Sequence, residues 1–115
     1  MSYYKPRICV DFDGVLNDYA GWKGETELGE LAPGASDFLF RLMQAGYEVV
    51  IFTTRNPALV WLWLAEREID GLVDDVTGSK PPAKAYVDDR AICHRGDFGA
   101  TLAALDGFKA HWEAS

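Results

Sequence analysis

The sequence predicts an α/β fold in which helices cover a mainly parallel β-sheet. Short apolar runs typical of buried strands alternate with stretches in which apolar residues have helical spacing. Their order is β-loop-α-β-α-β-β-α, and strand–helix–strand units of this kind are joined by right-handed crossovers. The chain has 115 residues, which suits one domain over residues 1–115 with three layers.

The first strand and the first helix are separated by a long connection. Residues 7–10 are rich in β-branched side chains and lead directly into Asp11-Phe12-Asp13-Gly14, where the glycine permits a sharp turn. Residues 15–33 are expected to be irregular. Pro33-Gly34 opens a helical pattern that ends near Gly46. Its apolar stripe consists of Phe38, Leu39, Leu42 and Met43.

The second half of the chain continues the alternation. Residues 47–52 (YEVVIF) have the composition of a buried strand, and Asn56-Pro57 is a favourable start for a helix that extends to about Ile69. Residues 72–77 indicate a short third strand or an extended turn, and residues 85–87 a fourth strand. A last helix is predicted from about Ala100 to Trp112, with Leu102, Leu105, Phe108 and Trp112 facing the core.

Charge and composition argue against several classes of partner. The net charge is −7 and the pI is near 4.6, which argues against non-specific binding to nucleic acids or membrane surfaces. No apolar stretch approaches membrane-spanning length, and residues 1–7 lack the apolar centre of a signal peptide. Cys9 and Cys93 are isolated cysteines, as in reduced intracellular proteins. We therefore expect a cytoplasmic protein.

Polar side chains follow three of the predicted strands. Asp11 and Asp13 come at the end of the first, Thr53 follows the second, and Asp88 and Asp89 follow the fourth. Ligands of open parallel sheets bind outside the carboxyl ends of the strands, so these groups are expected to converge at one edge. Clustered carboxylates repel one another unless a cation is bound, and an all-oxygen site is the kind that Mg²⁺ prefers. A phosphate ester is then the natural substrate.

The residue types also provide for covalent catalysis. A carboxylate can act as the nucleophile, and a second carboxylate two residues later can protonate the leaving oxygen and then activate water. Thr53 can donate a hydrogen bond to a phosphoryl oxygen. Lys80, in the loop before the fourth strand, can supply positive charge.

Four segments resemble the motifs of the haloacid dehalogenase (HAD) superfamily, in particular of its phosphatases. They are ICVDFDGVLND at residues 8–18, VVIFTTR at residues 49–55, Lys80, and YVDDR at residues 86–90, in the order that the family has them. The resemblance implies a three-layer α/β/α Rossmann-like fold and a Mg²⁺-dependent phosphatase. The gaps between the motifs are short, which is similar to members without a cap domain. Such members have open sites, associated with large substrates or with closure by a partner subunit.

The resemblance also implies a role for each motif residue. Asp11 is expected to be the nucleophile and a metal ligand, and Asp13 the general acid/base, with its backbone carbonyl on Mg²⁺. Phosphoryl binding falls to Thr53 or Thr54, and stabilisation of the charged intermediate to Lys80 or Lys84. Asp88 and Asp89 are the remaining metal ligands, either of them direct or in the outer shell.

Residues outside these roles leave alternatives open. Arg55 and Arg90 follow strands and either bind an anionic substrate or form salt bridges with the site carboxylates. The helix with Trp61 and Trp63 is apolar on every side, so it is either deeply buried or a contact for a homo-oligomer.

Other functions are less well matched by the pattern. A phospho-accepting receiver domain needs an aspartate at the end of a middle strand, and no acid ends a strand between the first acids and Thr53. A non-catalytic phosphate-binding module and a polynucleotide end phosphatase remain as alternatives, although the charge of −7 disfavours the second.

Overall fold

The computed structural model describes residues 5–19, 21–24 and 27–113. Within these residues the chain forms four strands and three α-helices, with short 3₁₀ turns at Asp70–Leu72 and His111–Glu113. The bounds are β1 Arg7–Asp11, α1 Ala35–Gln44, β2 Glu48–Phe52, α2 Pro57–Glu66, β3 Asp75–Thr77, β4 Ala85–Val87 and α3 Phe98–Leu105.

The four strands form one sheet in the order β3-β2-β1-β4, and every pair of neighbours is parallel. Ile8 of β1 is in register with Val49 of β2 on one side and with Ala85 of β4 on the other. The predicted α/β class with a mainly parallel sheet is confirmed. The chain winds outward from β1 to β3 and then returns to the opposite side of β1, so the strand order reverses between β1 and β4.

The helices begin and end where local chemistry directs them. The Asn56 side chain accepts a hydrogen bond from the backbone N–H of Ala58, and Pro57 occupies the first turn of α2. This confirms the predicted start, although α2 ends at Glu66 rather than near Ile69. Gly46 follows α1 with a φ of 86°, a left-handed conformation that favours glycine after a helix.

The main core lies between one face of the sheet and helices α1 and α2. Alternate strand residues such as Val10 and Ile51 point to this face and are fully buried with Leu39 of α1 and Leu64 of α2. The predicted stripe of α1 is confirmed for Leu39, with Phe38 and Leu42 partly buried, but Met43 is 43% exposed.

The connection from β3 to β4 crosses the opposite face of the sheet. It leaves the carboxyl end of β3 and enters the amino end of β4, on the far side of β1. The Tyr86 hydroxyl donates to the carbonyl of Pro81, and Arg7 donates to the carbonyl of Pro82. Cys9 and Val50, which point to this face, are also buried. This path decides which end of the sheet each lysine of the connection reaches.

The prediction for the last helix is partly wrong. The helix α3 spans Phe98–Leu105, earlier than predicted, and Gly107 follows it with a φ of 79°. Leu102, Leu105 and Phe108 are exposed rather than inward-facing, and no residue of α3 is buried among the described parts of the chain. Apolar spacing predicts that a helix forms, but it does not specify a surface to pack on. Trp112 lies beyond α3, in the turn His111–Glu113.

The tryptophan-rich helix α2 is packed more deeply on one side than on the other. Trp63 is 3% exposed, packs edge-on against Phe12, and donates its indole N–H to the carbonyl of Gly29. Trp61 is partly buried, and Leu62 is 58% exposed. Trp63 is therefore a core residue, and self-association through α2, which stays a prediction, would use Trp61 and Leu62.

Among the described residues, none of the helices has both the length and the apolar character that a membrane span requires.

Candidate functional site

The candidate site lies at the carboxyl edge of the sheet, where the strand order reverses. Asp11 ends β1 and Asp88 follows β4, and these two strands are neighbours. A crevice forms at such a position because the connections from the two strands leave in opposite directions. The cleft here has a volume of about 350 Å³. It is lined by Asp11, Asp13, Tyr19, Trp22, Phe52, Thr53, Thr54, Asp88 and Arg90.

Three carboxylates converge at the base of this site. Asp11, Asp88 and Asp89 each offer an oxygen, and these oxygens lie within 4.8 Å of one another. Burial, followed by the negative charges of Asp88 and Asp89, raises the pKa of Asp11 to about 7. Burial also raises the pKa of Asp88, but hydrogen bonds from the Arg90 backbone N–H and from Lys80 outweigh it and lower that pKa below its usual value. The surroundings therefore disfavour the charged form of Asp11 and favour that of Asp88.

Asp89 is held from two sides. The indole N–H of Trp112 donates a hydrogen bond to Asp89 Oδ2. On the other side, Gly14 has a φ of 87°, and a β-carbon at that position would overlap the Asp89 carboxylate. The turn after β1 therefore needs glycine both for its backbone conformation and for the space that Asp89 occupies.

The two candidate lysines lie at opposite ends of the sheet. Lys80 Nζ is 2.9 Å from Asp88 Oδ2, and its pKa is raised first by this hydrogen bond. Lys84 directly precedes β4, and its backbone N–H donates to the carbonyl of Arg7 at the start of β1. The difference arises because the connection runs from the carboxyl edge back to the amino edge. Of the two, only Lys80 is near the carboxylate cluster.

Both candidate threonines line the cleft, in different surroundings. Thr53 is 2% exposed, and its Oγ1 accepts a hydrogen bond of 2.9 Å from the backbone N–H of Arg55. Thr53 is also tied to β3 through its backbone N–H, which donates to the carbonyl of Thr77. Thr54 is exposed. Thr53 is thus the more rigidly positioned of the two hydroxyl groups.

The Asp13 carboxylate forms a salt bridge with Arg55. Arg55 Nε lies 3.0 Å from Asp13 Oδ2, and the Arg55 side chain is only 1% exposed. Asn17 Nδ2 donates to Asp13 Oδ1 at 2.8 Å. Of the two interpretations of Arg55, the structure contains the salt bridge. Asp13 lines the cleft, but the structure does not group its carboxylate with the three that converge.

Arg55 also links Asp13 to residues further along the connection between β1 and α1. Its Nη1 donates to the carbonyl of Gly24 at 2.9 Å, and its Cζ lies 4.6 Å from the centre of the Trp22 ring. Asn17 fastens the same connection, because its Oδ1 accepts a hydrogen bond from the backbone N–H of Gly29. This segment is therefore held over the site by two polar side chains.

Arg90 lines the mouth of the cleft. Its guanidinium carbon lies 4.8 Å from the centre of the Trp112 ring and 6.0 Å from that of Tyr19. Tyr19 and Trp112 themselves pack edge-on at 4.8 Å. Contacts with these two rings hold the Arg90 guanidinium at the mouth of the cleft.

Two residues of the site were missed in the sequence. Asn17 is 1% exposed and lies four residues after Asp13, so a polar residue shortly after the DxDG turn was an available signal. Trp112 has no local signal, because its partner Asp89 is 23 residues away and the intervening segment is not one continuous helix.

Comparisons with known proteins give the fold and no more. No protein-family model matches the chain, and no curated protein matches it. Among solved structures, the chain is similar to a conserved protein coded by a locus of Bacteroides thetaiotaomicron, with a TM-score of 0.60 and 22% identity. The match covers 90% of this chain and 91% of that one. A likeness at this level of identity supports the shared α/β architecture.

Proposed function

We propose that this protein is a Mg²⁺-dependent phosphomonoester phosphatase of the HAD superfamily, and that it works through an aspartyl-phosphate formed on Asp11. The observation that carries the proposal is the convergence of Asp11, Asp88 and Asp89, with Lys80 beside them, at the reversal point of a parallel sheet. The unpaired thiols of Cys9 and Cys93 further support a reducing compartment such as the cytoplasm.

The donor set fits Mg²⁺. The three converging side chains offer only carboxylate oxygens, which are the ligands that this ion prefers. Their mutual repulsion contributes to the raised pKa of Asp11, and a dication at that point relieves it. When bound, Mg²⁺ supplies neutralisation of the negative charge on the phosphoryl group and the carboxylates.

In the proposed reaction, Asp11 provides the nucleophilic oxygen. A carboxylate oxygen of Asp11 bonds to phosphorus while the bond from phosphorus to the ester oxygen breaks. Asp13 gives a proton to the leaving oxygen and is left as a carboxylate. Water then attacks phosphorus, Asp13 takes the proton from it, and the acyl-phosphate bond breaks to regenerate Asp11 and release phosphate.

Lys80 and the threonines bind the phosphoryl oxygens. Lys80 already lies within hydrogen-bond distance of Asp88, so its ammonium group is positioned beside the cluster before substrate binds. Donors that are fixed in advance stabilise developing negative charge without reorganisation. Thr53, whose oxygen is held by the Arg55 backbone N–H, lines the cleft and has a hydroxyl proton to donate.

The first test is hydrolysis of a panel of phosphate esters with and without metal. We expect turnover in Mg²⁺ that falls by more than about 100-fold in excess chelator and returns when Mg²⁺ is restored. Release of inorganic phosphate is the measurement. Full activity in chelator would exclude the metal requirement. Failure to hydrolyse any ester at saturating Mg²⁺ would favour a module that binds phosphate without catalysis.

A pair of lysine variants separates the two ends of the sheet. Lys80→Ala is expected to lower kcat/KM by about 100-fold, because it removes positive charge beside the phosphoryl group. Lys84→Ala removes the same charge from the opposite edge, and we expect a change of less than about twofold, as for other surface substitutions. Steady-state kinetics on one ester measures both. Equal losses in the two variants would show that overall charge, not position, is responsible.

A further inference from the structure

The mouth of the cleft is built from aromatic rings and one cation. Besides the carboxylates, the cleft is lined by Tyr19, Trp22 and Arg90. Trp22 is 56% exposed, although tryptophan is usually among the more buried residues. An exposed indole that borders a catalytic cleft offers a flat apolar surface, and planar groups stack on such a surface with little dependence on their identity.

The Trp22 ring is held in a defined position. The guanidinium of Arg55 lies over the ring at 4.6 Å from its centre, and Arg55 is itself buried and paired with Asp13. More than half of the Trp22 side chain is exposed, and the residue lines the cleft, so part of the indole can contact a ligand there. A platform held in advance loses less entropy on binding than a mobile side chain.

The platform also lies on the side of the cleft where the leaving group is expected. Asp13 is the proposed donor of a proton to the leaving oxygen, and one guanidinium contacts both Asp13 and the Trp22 ring. A group attached to the leaving oxygen can therefore reach the Trp22 ring.

Arg90 adds hydrogen-bond donors to the lining of the cleft. Its backbone N–H donates to Asp88 Oδ1 at 2.8 Å, and its guanidinium rests against Trp112 and Tyr19. A guanidinium can pair with the acceptor edge of a heterocycle or with a sugar hydroxyl. The cleft of about 350 Å³ is at the lower end of the range for small-molecule sites, which favours a compact substrate.

From these contacts we infer that the substrate is a phosphomonoester of the nucleoside monophosphate class, whose leaving group carries a planar heteroaromatic base, and that Trp22 is the specificity-determining residue. The inference rests on the proposed phosphatase function. The inferred substrate is small, whereas the resemblance to members without a cap domain associates an open site with large substrates.

The test compares nucleoside 5′-monophosphates with ribose 5-phosphate, which has the same sugar and the same leaving oxygen but no base. We expect kcat/KM to be at least about tenfold higher for the nucleotides, as for one base stacked on an aromatic side chain. Trp22→Ala should remove this preference, and Trp22→Phe should retain most of it. The matched control is Leu62→Ala, an exposed apolar position on α2 outside the cleft lining.

The outcomes distinguish the inference from the function on which it rests. Equal kcat/KM for the nucleotides and ribose 5-phosphate would overturn the inference and leave the phosphatase standing. Equal losses on both substrates in Trp22→Ala would also overturn it, because they would assign Trp22 only to positioning Arg55.

A binding measurement provides a readout that does not depend on turnover. Calorimetric titration of the Asp11→Asn protein with AMP and with ribose 5-phosphate, in Mg²⁺, is expected to show tighter binding of AMP. Adding Trp22→Ala should equalise the two affinities. If the unmodified protein hydrolyses neither compound nor any other ester of the panel, the phosphatase proposal fails. This titration still decides the inference, because undetectable or equal binding of the two ligands overturns it.

Discussion

Replacing Asp11 by asparagine is expected to abolish phosphate ester hydrolysis and, in the absence of metal, to make the protein more stable. Turnover is lost because an amide cannot act as the nucleophile. Stability rises because burial and the charges of Asp88 and Asp89 disfavour the ionised Asp11 carboxylate. The neutral amide has nearly the same shape and lacks that charge.

The sign of the pH dependence follows from the shift of the Asp11 pKa. Its pKa is about 7 in the folded protein, against 3.8 for the unperturbed group, so the folded state holds a proton that the unfolded state releases. The contribution of protonated Asp11 to stability is complete below about pH 4 and is lost as pH rises through 7. Asparagine does not titrate, so the advantage of the variant grows over the same interval.

Thermal or denaturant unfolding in chelator at pH 5 and pH 8 measures this difference. We expect Asp11→Asn to exceed the unmodified protein by about 1–3 kcal/mol at pH 8, with partial solvent exposure reducing the full value of the shift, and by less at pH 5. Added Mg²⁺ should stabilise the unmodified protein more than the variant. Near-normal turnover in the variant would show that Asp11 is not the nucleophile. Equal stability of the two proteins at pH 8 would show that the surroundings of Asp11 do not disfavour its ionised form.

The matched control is Asp18→Asn. Asp18 is exposed in the connection after β1, outside the three converging carboxylates. The same chemical change there is expected to alter stability by less than about 0.5 kcal/mol and to leave turnover nearly unchanged.

The same substitution two residues later is expected to have the opposite effect on stability. Asp13→Asn removes the carboxylate that faces the buried Arg55 guanidinium at 3.0 Å. Removing one member of a buried ion pair leaves the other charge without that partner, which lowers the free energy of unfolding by about 3 kcal/mol. Turnover should also fall by about 10²- to 10⁴-fold, because proton transfer to the leaving oxygen is lost.

Denaturant unfolding of Asp13→Asn beside Asp11→Asn, in chelator at pH 8, checks the contrast. Adding Arg55→Met to Asp13→Asn should recover part of the lost stability, since the unpaired charge is then removed. Unchanged stability in Asp13→Asn would show that the salt bridge contributes nothing. A double variant less stable than Asp13→Asn would assign the role of Arg55 to its other contacts, with Gly24 and Trp22.

Features that depend on neighbouring residues could be predicted from the sequence. The apolar runs at β1 and β2 identified where each strand ends, and so placed Asp11 and Thr53 at one edge of a parallel sheet. The start of α2 at Asn56-Pro57 followed from side-chain capping, which acts over two or three residues. For Arg55 the sequence left two interpretations, binding of an anionic substrate or a salt bridge, because its position after a strand placed it near the carboxylates.

Features that depend on the path of the chain were decided only by the tertiary structure. Lys80 and Lys84 are equivalent in the sequence, and only the route of the connection across the sheet placed one at the carboxyl edge and the other at the amino edge. Arg55 and Asp13 are 42 residues apart, and Trp112 and Asp89 are 23 apart. Local patterns in the sequence indicate helix caps and the apolar faces of strands and helices. Pairs of distant residues form only when the order of the strands brings their segments together.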